Sequence, residues 1–240
     1  MDVNVVYWSH PLAEHHLKFQ NILNNVKHFN VPNTEPNASK INFIKCPFFN
    51  SFARKTFNIL APFDYSLISE NGELKSFHYD QNFFNNNIFV RSNELKLFSF
   101  GIMSFLFFTK QNCILTCDKS YFSNNDFSIS THVIPGQLNI SKWFRAIDLA
   151  FIIKNNNQLI NIKKGDPLFS VNFNFNNNNK IIFKRFKFTD KLRYYSDYKK
   201  VMNPLIKPKL NQLTDFFYES FDNSGIGKII LKEIDNNLME

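Results

Sequence analysis

The sequence has few of the residues that cross-linked or metal-held proteins depend on. It contains three cysteines, Cys46, Cys113 and Cys117, and this odd, small number argues against a disulfide framework and favours a reducing compartment. Cys113-x-x-x-Cys117 has the spacing of half a metal site, but no second Cys/His pair completes a tetrahedron. We therefore expect the cysteines to pack as small apolar residues.

A histidine-rich segment near the start of the chain lacks the spacing of a metal site. Glu14 and a histidine one or two residues later, His15 or His16, cannot share one face of a helix. His10 precedes Pro11, which favours extended backbone. We expect an exposed polar patch here and no bound metal.

No segment has the pattern of a targeting signal, a membrane span or a phosphate loop. Residues 1–8 lack the basic start and long apolar core of a signal peptide. The most apolar stretch, residues 97–109, is too short to cross a bilayer. Gly225-Ile226-Gly227-Lys228 lacks the longer glycine-lysine run of a phosphate loop, so it predicts the end of a helix. We expect no contact with a membrane.

Phenylalanine is abundant, with 30 copies in 240 residues, and 44% of the chain is hydrophobic. A chain of this length buries about 70–75% of the surface of its unfolded state, so phenylalanine is expected to fill a large core. One large domain, or one domain with an appendage, is the natural organisation. Short asparagine tracts at 85–87, 155–157 and 176–179 separate the apolar runs and predict turns.

The apolar residues recur with a two-residue period, which predicts a mainly β protein. Residues 132–175 show it best, with one apolar face in each of two strands: Ile147, Leu149, Phe151 and Ile153, then Phe169, Val171, Phe173 and Phe175. Further short strands are predicted at 3–8, 56–60, 65–68, 74–79, 88–91, 95–100, 103–109 and 113–117, with an Asn-Gly hairpin turn at 71–72. This spacing is typical of a β-sandwich or barrel. Residues 181–188 are expected to pair with the preceding strand as a hairpin with a basic outer surface.

The pattern changes to helical spacing after residue 188. Thr189 is a good N-cap, apolar residues follow at three- and four-residue intervals, and Pro204 ends the segment. Pro208 can begin a second helix that ends at Gly225. The sequence therefore predicts a β domain over 1–188 and a C-terminal appendage of two α-helices over 189–240 that packs on it.

The order of features in residues 132–173 resembles the dUTPase-like β-clip barrel of dUTPases and dCTP deaminases. Gly136, Arg145 and Ile162-x-x-Gly165-Asp166 fit the pattern of that family, and Asp64 is a counterpart for the Asp of its opening strand. The departures are Asn139 at the position of the catalytic Asp, Trp143-Phe144 near the sugar-stacking Tyr, Ala146 for Gly and Ser170 for the final Gln. The resemblance implies the fold and, by analogy, a trimer. If activity is retained, it implies Asp64, Arg145 and Asp166 as polar site groups, with magnesium on the triphosphate.

A second resemblance covers most of the chain and is to an uncharacterised protein family of marine tailed bacteriophages. It is carried by segments such as Tyr7-Trp8-Ser9-His10-Pro11, Cys46-Pro47-Phe48-Phe49 and Asp80-Gln81-Asn82-Phe83-Phe84. This resemblance implies a place in the virion or in the host cytoplasm, and no mechanism.

The functional expectation follows from the amide at position 139. A dUTPase needs a carboxylate there to activate water, and an amide cannot accept the proton. We therefore expect a non-catalytic phage structural or interaction protein with protein partners, virion components among them. Trp143, Phe144 and Arg145 are the candidate contacts; alternatively the two rings plug the barrel end and Arg145 pairs with an acid such as Asp148.

Two alternatives to this expectation stay open. One is a diverged dUTPase-like nucleotide pyrophosphatase. The other is a nucleic-acid-binding protein, because the net charge is +8 and much of the excess lies in residues 180–209, where Lys184, Arg185 and Lys187 are candidate contacts.

Overall fold

The computed structural model describes residues 2–10, 19–23, 46–70, 73–76, 88–92, 94–197 and 213–239, with backbone alone at 101–104 and 213. Several sequence predictions lie outside these residues: most of an amphipathic segment at 12–28, a loop at 29–39, the turn at 71–72, and Tyr198, Pro204 and Pro208 in the predicted C-terminal helices. Glu14, His15 and His16 are also outside them.

The described chain is mainly β. The strands are β1 Val3–Ser9, β2 Phe19–Asn21, β3 Thr56–Leu60, β4 Tyr65–Glu70, β5 Glu73–Ser76, β6 Ile88–Ser92, β7 Leu97–Phe108, β8 Cys113–Lys119, β9 Thr131–Val133, β10 Gly136–Asn139, β11 Ala146–Ile153, β12 Leu159–Ile162, β13 Pro167–Phe175 and β14 Lys180–Arg185. The helices are α1 Pro47–Arg54, α2 Asp126–Ser130, α3 Asp190–Ser196, α4 Leu213–Ser224 and α5 Ile226–Asp235.

The strands form three sheets. Sheet A has the order β14-β1-β7-β11-β9, and β6 also pairs with β7. Sheet B has the order β10-β8-β13-β3-β2, and sheet C the order β12-β4-β5. The pair of β1 and β14 is parallel and places Val3 opposite Lys180, whereas the other strand pairs in these sheets are antiparallel.

Sheets A and B face each other across a core of phenylalanine. The Phe173 ring of sheet B lies 5.3 Å from Phe107 and 5.5 Å from Phe183, both in sheet A, measured between ring centroids. Leu149, Phe151 and Ile153 of β11 are buried, as the two-residue period predicts. We call this cluster the inter-sheet core.

A second cluster lies on the opposite face of sheet A, and we call it the helix-side core. Its buried members are Leu106, Phe108, Phe144, Phe186, Leu192, Phe217, Phe221, Ile230 and Ile234. The run Phe105-Leu106-Phe107-Phe108 is buried throughout because alternate residues enter the two cores. A continuous apolar run is the pattern of a strand that is covered on both faces. Helices α3, α4 and α5 provide the outer cover.

Three predictions of local structure were wrong. Residues 95–100 and 103–109 belong to one strand, β7, and not to two. β14 does not form a hairpin with β13, because Phe183 faces Phe173 across the inter-sheet core and β14 pairs with β1 instead. Within the described residues, three helices follow residue 189 where two were predicted.

The third C-terminal helix follows from the geometry at Gly225. This residue has φ +66°, the left-handed conformation that ends one helix and favours glycine. The chain turns there and begins α5 at once, because Ile230 and Ile234 complete the helix-side core. Residues 237–239 then return to β14, where Lys187 N donates to Asn237 O at 2.9 Å and Met239 N to Arg185 O at 2.9 Å.

Candidate functional site

The two predicted acidic residues of the dUTPase-like pattern, Asp64 and Asp166, lie together at the turn between β12 and β13. Lys164 N donates to Asp64 Oδ1 at 2.6 Å, and Lys163 N donates to Asp166 Oδ2 at 2.9 Å. Gly165 has φ +91°, which the turn requires. Both carboxylates therefore hold main-chain N–H groups of one tight turn.

Arg145, the third predicted polar group, lies in different surroundings. Its guanidinium carbon is 5.1 Å from the centre of the Trp143 ring, and that ring lies 4.9 Å from Phe217 of α4. Asp148, the acid expected beside Arg145, accepts a hydrogen bond from Arg91 Nη2 at 2.7 Å. The structure thus brings Asp64 and Asp166 together and places Arg145 beside the helix-side core.

Asn139, at the position of the catalytic Asp of the resembled family, organises the turn after β10. Its Oδ1 accepts from Ser141 N at 3.1 Å and from Ser141 Oγ at 2.8 Å, and its Nδ2 donates to Asn112 Oδ1 at 2.8 Å. The main-chain N–H of Asn139 donates to the Tyr218 hydroxyl at 2.7 Å. The amide is therefore engaged on both of its polar atoms.

The candidate contact residues Trp143 and Phe144 belong to the packing of α4 against sheet A. Phe144 has no exposed surface, and its ring centroid lies 5.2 Å from that of Phe108. Trp143 is half-buried, and its indole N–H makes no hydrogen bond with the described residues. Both rings therefore pack between α4 and one face of sheet A, which is a packing role at a different place from the barrel end that the sequence suggested.

Burial also decides the protonation of the cysteines on β8. Burial is the main cause that raises the pKa of Cys113 and of Cys117 to about 12. Cys46 is exposed at the start of α1. In the described part of the chain no three His, Cys, Asp or Glu side chains gather as a metal site, and no helix is both long and apolar enough to span a membrane.

Ser170, at the position of the family's final Gln, belongs to a polar network on the outer face of sheet B. Its hydroxyl donates to Asn58 Oδ1 and accepts from Tyr121 N at 3.1 Å. The Tyr121 hydroxyl donates in turn to Asp118 Oδ2 at 2.9 Å. Burial, and then the Asp118 carboxylate, raise the pKa of Tyr121 to about 12. This network fixes the 120–125 loop on sheet B.

The raised pKa of Tyr121 predicts a loss of stability in alkali. As the pH rises, the tyrosine of the unfolded chain loses its proton near its ordinary pKa of 10.0, whereas that of the folded chain keeps it up to about 12. The Tyr121–Asp118 pair therefore contributes fully to the stability of the fold below about pH 10, and this contribution is lost between about pH 10 and about pH 12. We expect Tyr121→Phe to reduce the fall in the free energy of unfolding over that range, measured by urea denaturation at each pH. Tyr194→Phe, at a half-exposed tyrosine, is the matched control. An unchanged slope in Tyr121→Phe would contradict the role of the pair.

A cation-lined cleft lies where α1, β3 and the start of β14 meet. It encloses about 780 Å³ and is lined by Asn21, Leu23, Pro47, Asn50, Ser51, Arg54, Lys55, Phe57, Asn178, Asn179, Lys180 and Ile181. Among the residues that the structure describes, no aspartate or glutamate lines it. The three cations Arg54, Lys55 and Lys180 therefore make the cleft suitable for an anion.

The walls of the cleft are fixed by asparagine side chains. Asn21 Nδ2 donates to Ala53 O at 2.9 Å and to Thr56 O at 3.2 Å, which holds the end of α1 against β3. Buried Asn4 donates from Nδ2 to Asn177 Oδ1 at 2.7 Å, which holds the 176–179 turn. These hydrogen bonds fix the backbone segments that carry the cations of the cleft.

The predicted basic contacts on β14 divide into two kinds. Lys184 and Lys187 are exposed, whereas the Arg185 guanidinium carbon lies 5.5 Å from the centre of the Trp8 ring. β14 is the outermost strand of sheet A in the described chain. The sequence predicted the strand β14 but did not single out Arg54 and Lys55 as candidate contacts. They could have been found from Pro47, which favours the start of a helix, because the pair Arg54-Lys55 then lies at the end of that helix.

Comparison with known proteins gave no match to a protein-family model, to a curated protein or to a solved structure.

Proposed function

We propose that this chain is a non-catalytic interaction protein of tailed bacteriophages, built on a β scaffold and acting as a virion component or in the host cytoplasm. The observation that carries the proposal is the environment of Asn139. Its Oδ1 is engaged by Ser141 and its Nδ2 by Asn112, so the side chain organises a turn. General-base catalysis needs a group that can take a proton, and an amide oxygen cannot.

The acidic groups of the resembled pattern support the same proposal, although the strand register places them at the opposite end of β13 from the residue paired toward Asn139. Asp64 and Asp166 both accept main-chain N–H groups of the 163–166 turn, which is a structural use of a carboxylate. The phage setting is supported by the resemblance of the sequence. The finer fold, a dUTPase-like β-clip barrel, is part of the proposal; the succession β10, β11, β12, Gly165-Asp166 turn and β13 supports it. A trimer is the corresponding expectation for the assembly.

Pyrophosphate release from the four common deoxynucleoside triphosphates and dUTP, with magnesium present, tests the absence of catalysis. We expect no release above the protein-free control, with a known dUTPase as the positive control. Release that disappears in Asp64→Asn and persists in Glu73→Gln, at an exposed glutamate, would establish the pyrophosphatase instead.

Mass spectrometry of purified particles and of infected-cell extract separates the two settings. Detection in the particles at a fixed copy number relative to the major capsid protein supports a virion component. Presence in the extract alone assigns the protein to the infected cell, and absence from both overturns the phage setting.

A further inference from the structure

Among the described residues, the hydrogen-bond partners of Arg54 and Lys55 in the cleft are neutral oxygens and not carboxylates. Arg54 Nε donates to Asn50 Oδ1 at 2.8 Å, and Lys55 Nζ to Phe175 O at 3.3 Å. These bonds orient the side chains and leave their positive charge uncancelled, in contrast to Lys142, Lys75 and Lys191, which pair with acids. These two oriented charges, with Lys180 at the start of β14, lie in one concave site and concentrate anions.

The positive charge continues beyond the cleft along β14. Lys180 and Lys184 lie on the same side of the strand because side chains alternate, and both are exposed. Lys187 is also exposed, but it follows the end of the strand at Arg185 and lies between Phe186 and Phe188, which both pack in the helix-side core, so it points to the opposite side. At about 3.3 Å per residue, the distance from Lys180 to Lys184 is roughly 13 Å. A single phosphate group would occupy the cleft alone, whereas this line of charges suits a polymer of phosphates.

An exposed aromatic ring lies on α1, the helix that contributes one face to the cleft. Phe48 is 88% exposed on α1, next in sequence to Pro47, which lines the cleft. A phenylalanine with this exposure contributes little to either core. Stacking of bases on aromatic rings beside a positively charged groove is how proteins bind single-stranded nucleic acids without sequence preference.

We propose that the cleft and β14 form a binding track for single-stranded nucleic acid, with phosphates on Arg54, Lys55, Lys180 and Lys184 and a base on Phe48. This goes beyond the proposed function and does not depend on it. Each phosphate contact releases condensed counterions, with a slope of log affinity against log salt of about −0.7 per contact for single strands. Four contacts predict a slope of about −2.8, which corresponds to an affinity about 50-fold lower at 200 mM than at 50 mM salt.

Fluorescence anisotropy with labelled dT16 and rU16 tests the track. The triple variant Arg54→Gln/Lys55→Gln/Lys180→Gln loses three phosphate contacts. We expect the slope of its log affinity against log salt to be smaller in magnitude by about 2, and its binding to be weakened most at 50 mM salt. Lys110→Gln/Lys119→Gln/Lys163→Gln removes the same charge from exposed positions outside the track and is expected to leave the slope unchanged. Phe48→Ala is expected to weaken binding about 5- to 150-fold at every salt concentration, because a stacked base loses its ring. Circular dichroism confirms that each variant is folded.

Competition separates the possible ligands. Unlabelled dT16 should displace the probe at far lower concentration than dTMP, inorganic phosphate or a 16-base-pair duplex. Absence of binding at 50 mM salt, equal weakening in both triple variants, or equal competition by dTMP or by the duplex would overturn the proposal. Because the assay contains no triphosphate and no magnesium, its result is independent of the pyrophosphate test.

Discussion

Replacing Phe173 with alanine is expected to lower the free energy of unfolding by about 3–5 kcal/mol. The side chain has no exposed surface, and its ring contacts Phe107 and Phe183 of the opposite sheet and Phe57 of its own sheet. Removal of the ring loses its transfer free energy and leaves a cavity, because the surrounding rings are held in two sheets and cannot close it. A loss of this size is a large part of the 5–15 kcal/mol that stabilises an ordinary domain.

Urea denaturation of the variant beside Phe48→Ala measures this cost. Phe48→Ala removes the same ring from the surface, so the free energy of unfolding of this variant should stay within about 0.5 kcal/mol of the parent. Phe173→Leu fills part of the cavity, so its free energy of unfolding should lie between those of Phe173→Ala and Phe48→Ala. Equal stability of Phe173→Ala and Phe48→Ala would mean that sheets A and B do not pack through this ring.

Replacing Phe144 with alanine is expected to cost a similar amount, about 3–5 kcal/mol, through the helix-side core. Its ring lies fully buried against Phe108 of β7 and close to Phe186 beside β14. The neighbouring residue, Arg145, provides the comparison. Arg145→Ala removes the cation–π contact of a half-buried side chain with Trp143, worth about 0.5–2 kcal/mol.

Thermal and urea denaturation of these two variants distinguish a packing role from a contact role for the Trp143-Phe144-Arg145 segment. A packing role gives a large loss in Phe144→Ala and a small one in Arg145→Ala. A stability close to the parent in Phe144→Ala would instead show that this ring is available to a partner.

The elements that the sequence predicts well are those whose signal is local. The two-residue period of β11 and β13 places Phe151 and Phe173 correctly in the core, and Thr189 caps α3 through a hydrogen bond from Leu192 N at 3.2 Å. These features depend on which neighbours are apolar or can accept a hydrogen bond. A single sequence carries that information directly.

The elements that the sequence does not predict depend on distant residues. The parallel partner of β1 is 177 positions away in register, and nothing in Val3–Ser9 specifies it. Helix α1 contains three phenylalanines in eight residues, a composition also common in strands, and it is helical because Pro47 opens it and Ala53 packs beneath it. Tertiary packing decided both cases.

The same reasoning explains the candidate sites. The sequence singled out Asn139 through a resemblance to a local motif, and its place in that motif stays a prediction. The cleft could not be predicted, since Asn21, Arg54 and Lys180 come together only when β2, β3 and β14 are in place. Of its three cations, the sequence marked Lys180 alone, through the charge of residues 180–209.

The parallel pairing of β1 with β14 also has a consequence for biosynthesis. At 5–20 residues per second, the ribosome delivers Lys180 roughly 9 to 35 s after Val3, so the nascent chain waits that long before the far side of β1 can be covered. Val3–Ser9 is rich in β-forming residues, and an uncovered edge of this kind invites pairing with another chain. We therefore expect yield to depend on translation speed and on chaperones that shield emerging strands. A circular permutant that begins between β13 and β14 synthesises β14 before β1, with α3, α4 and α5 as the described elements between them, and should depend less on both.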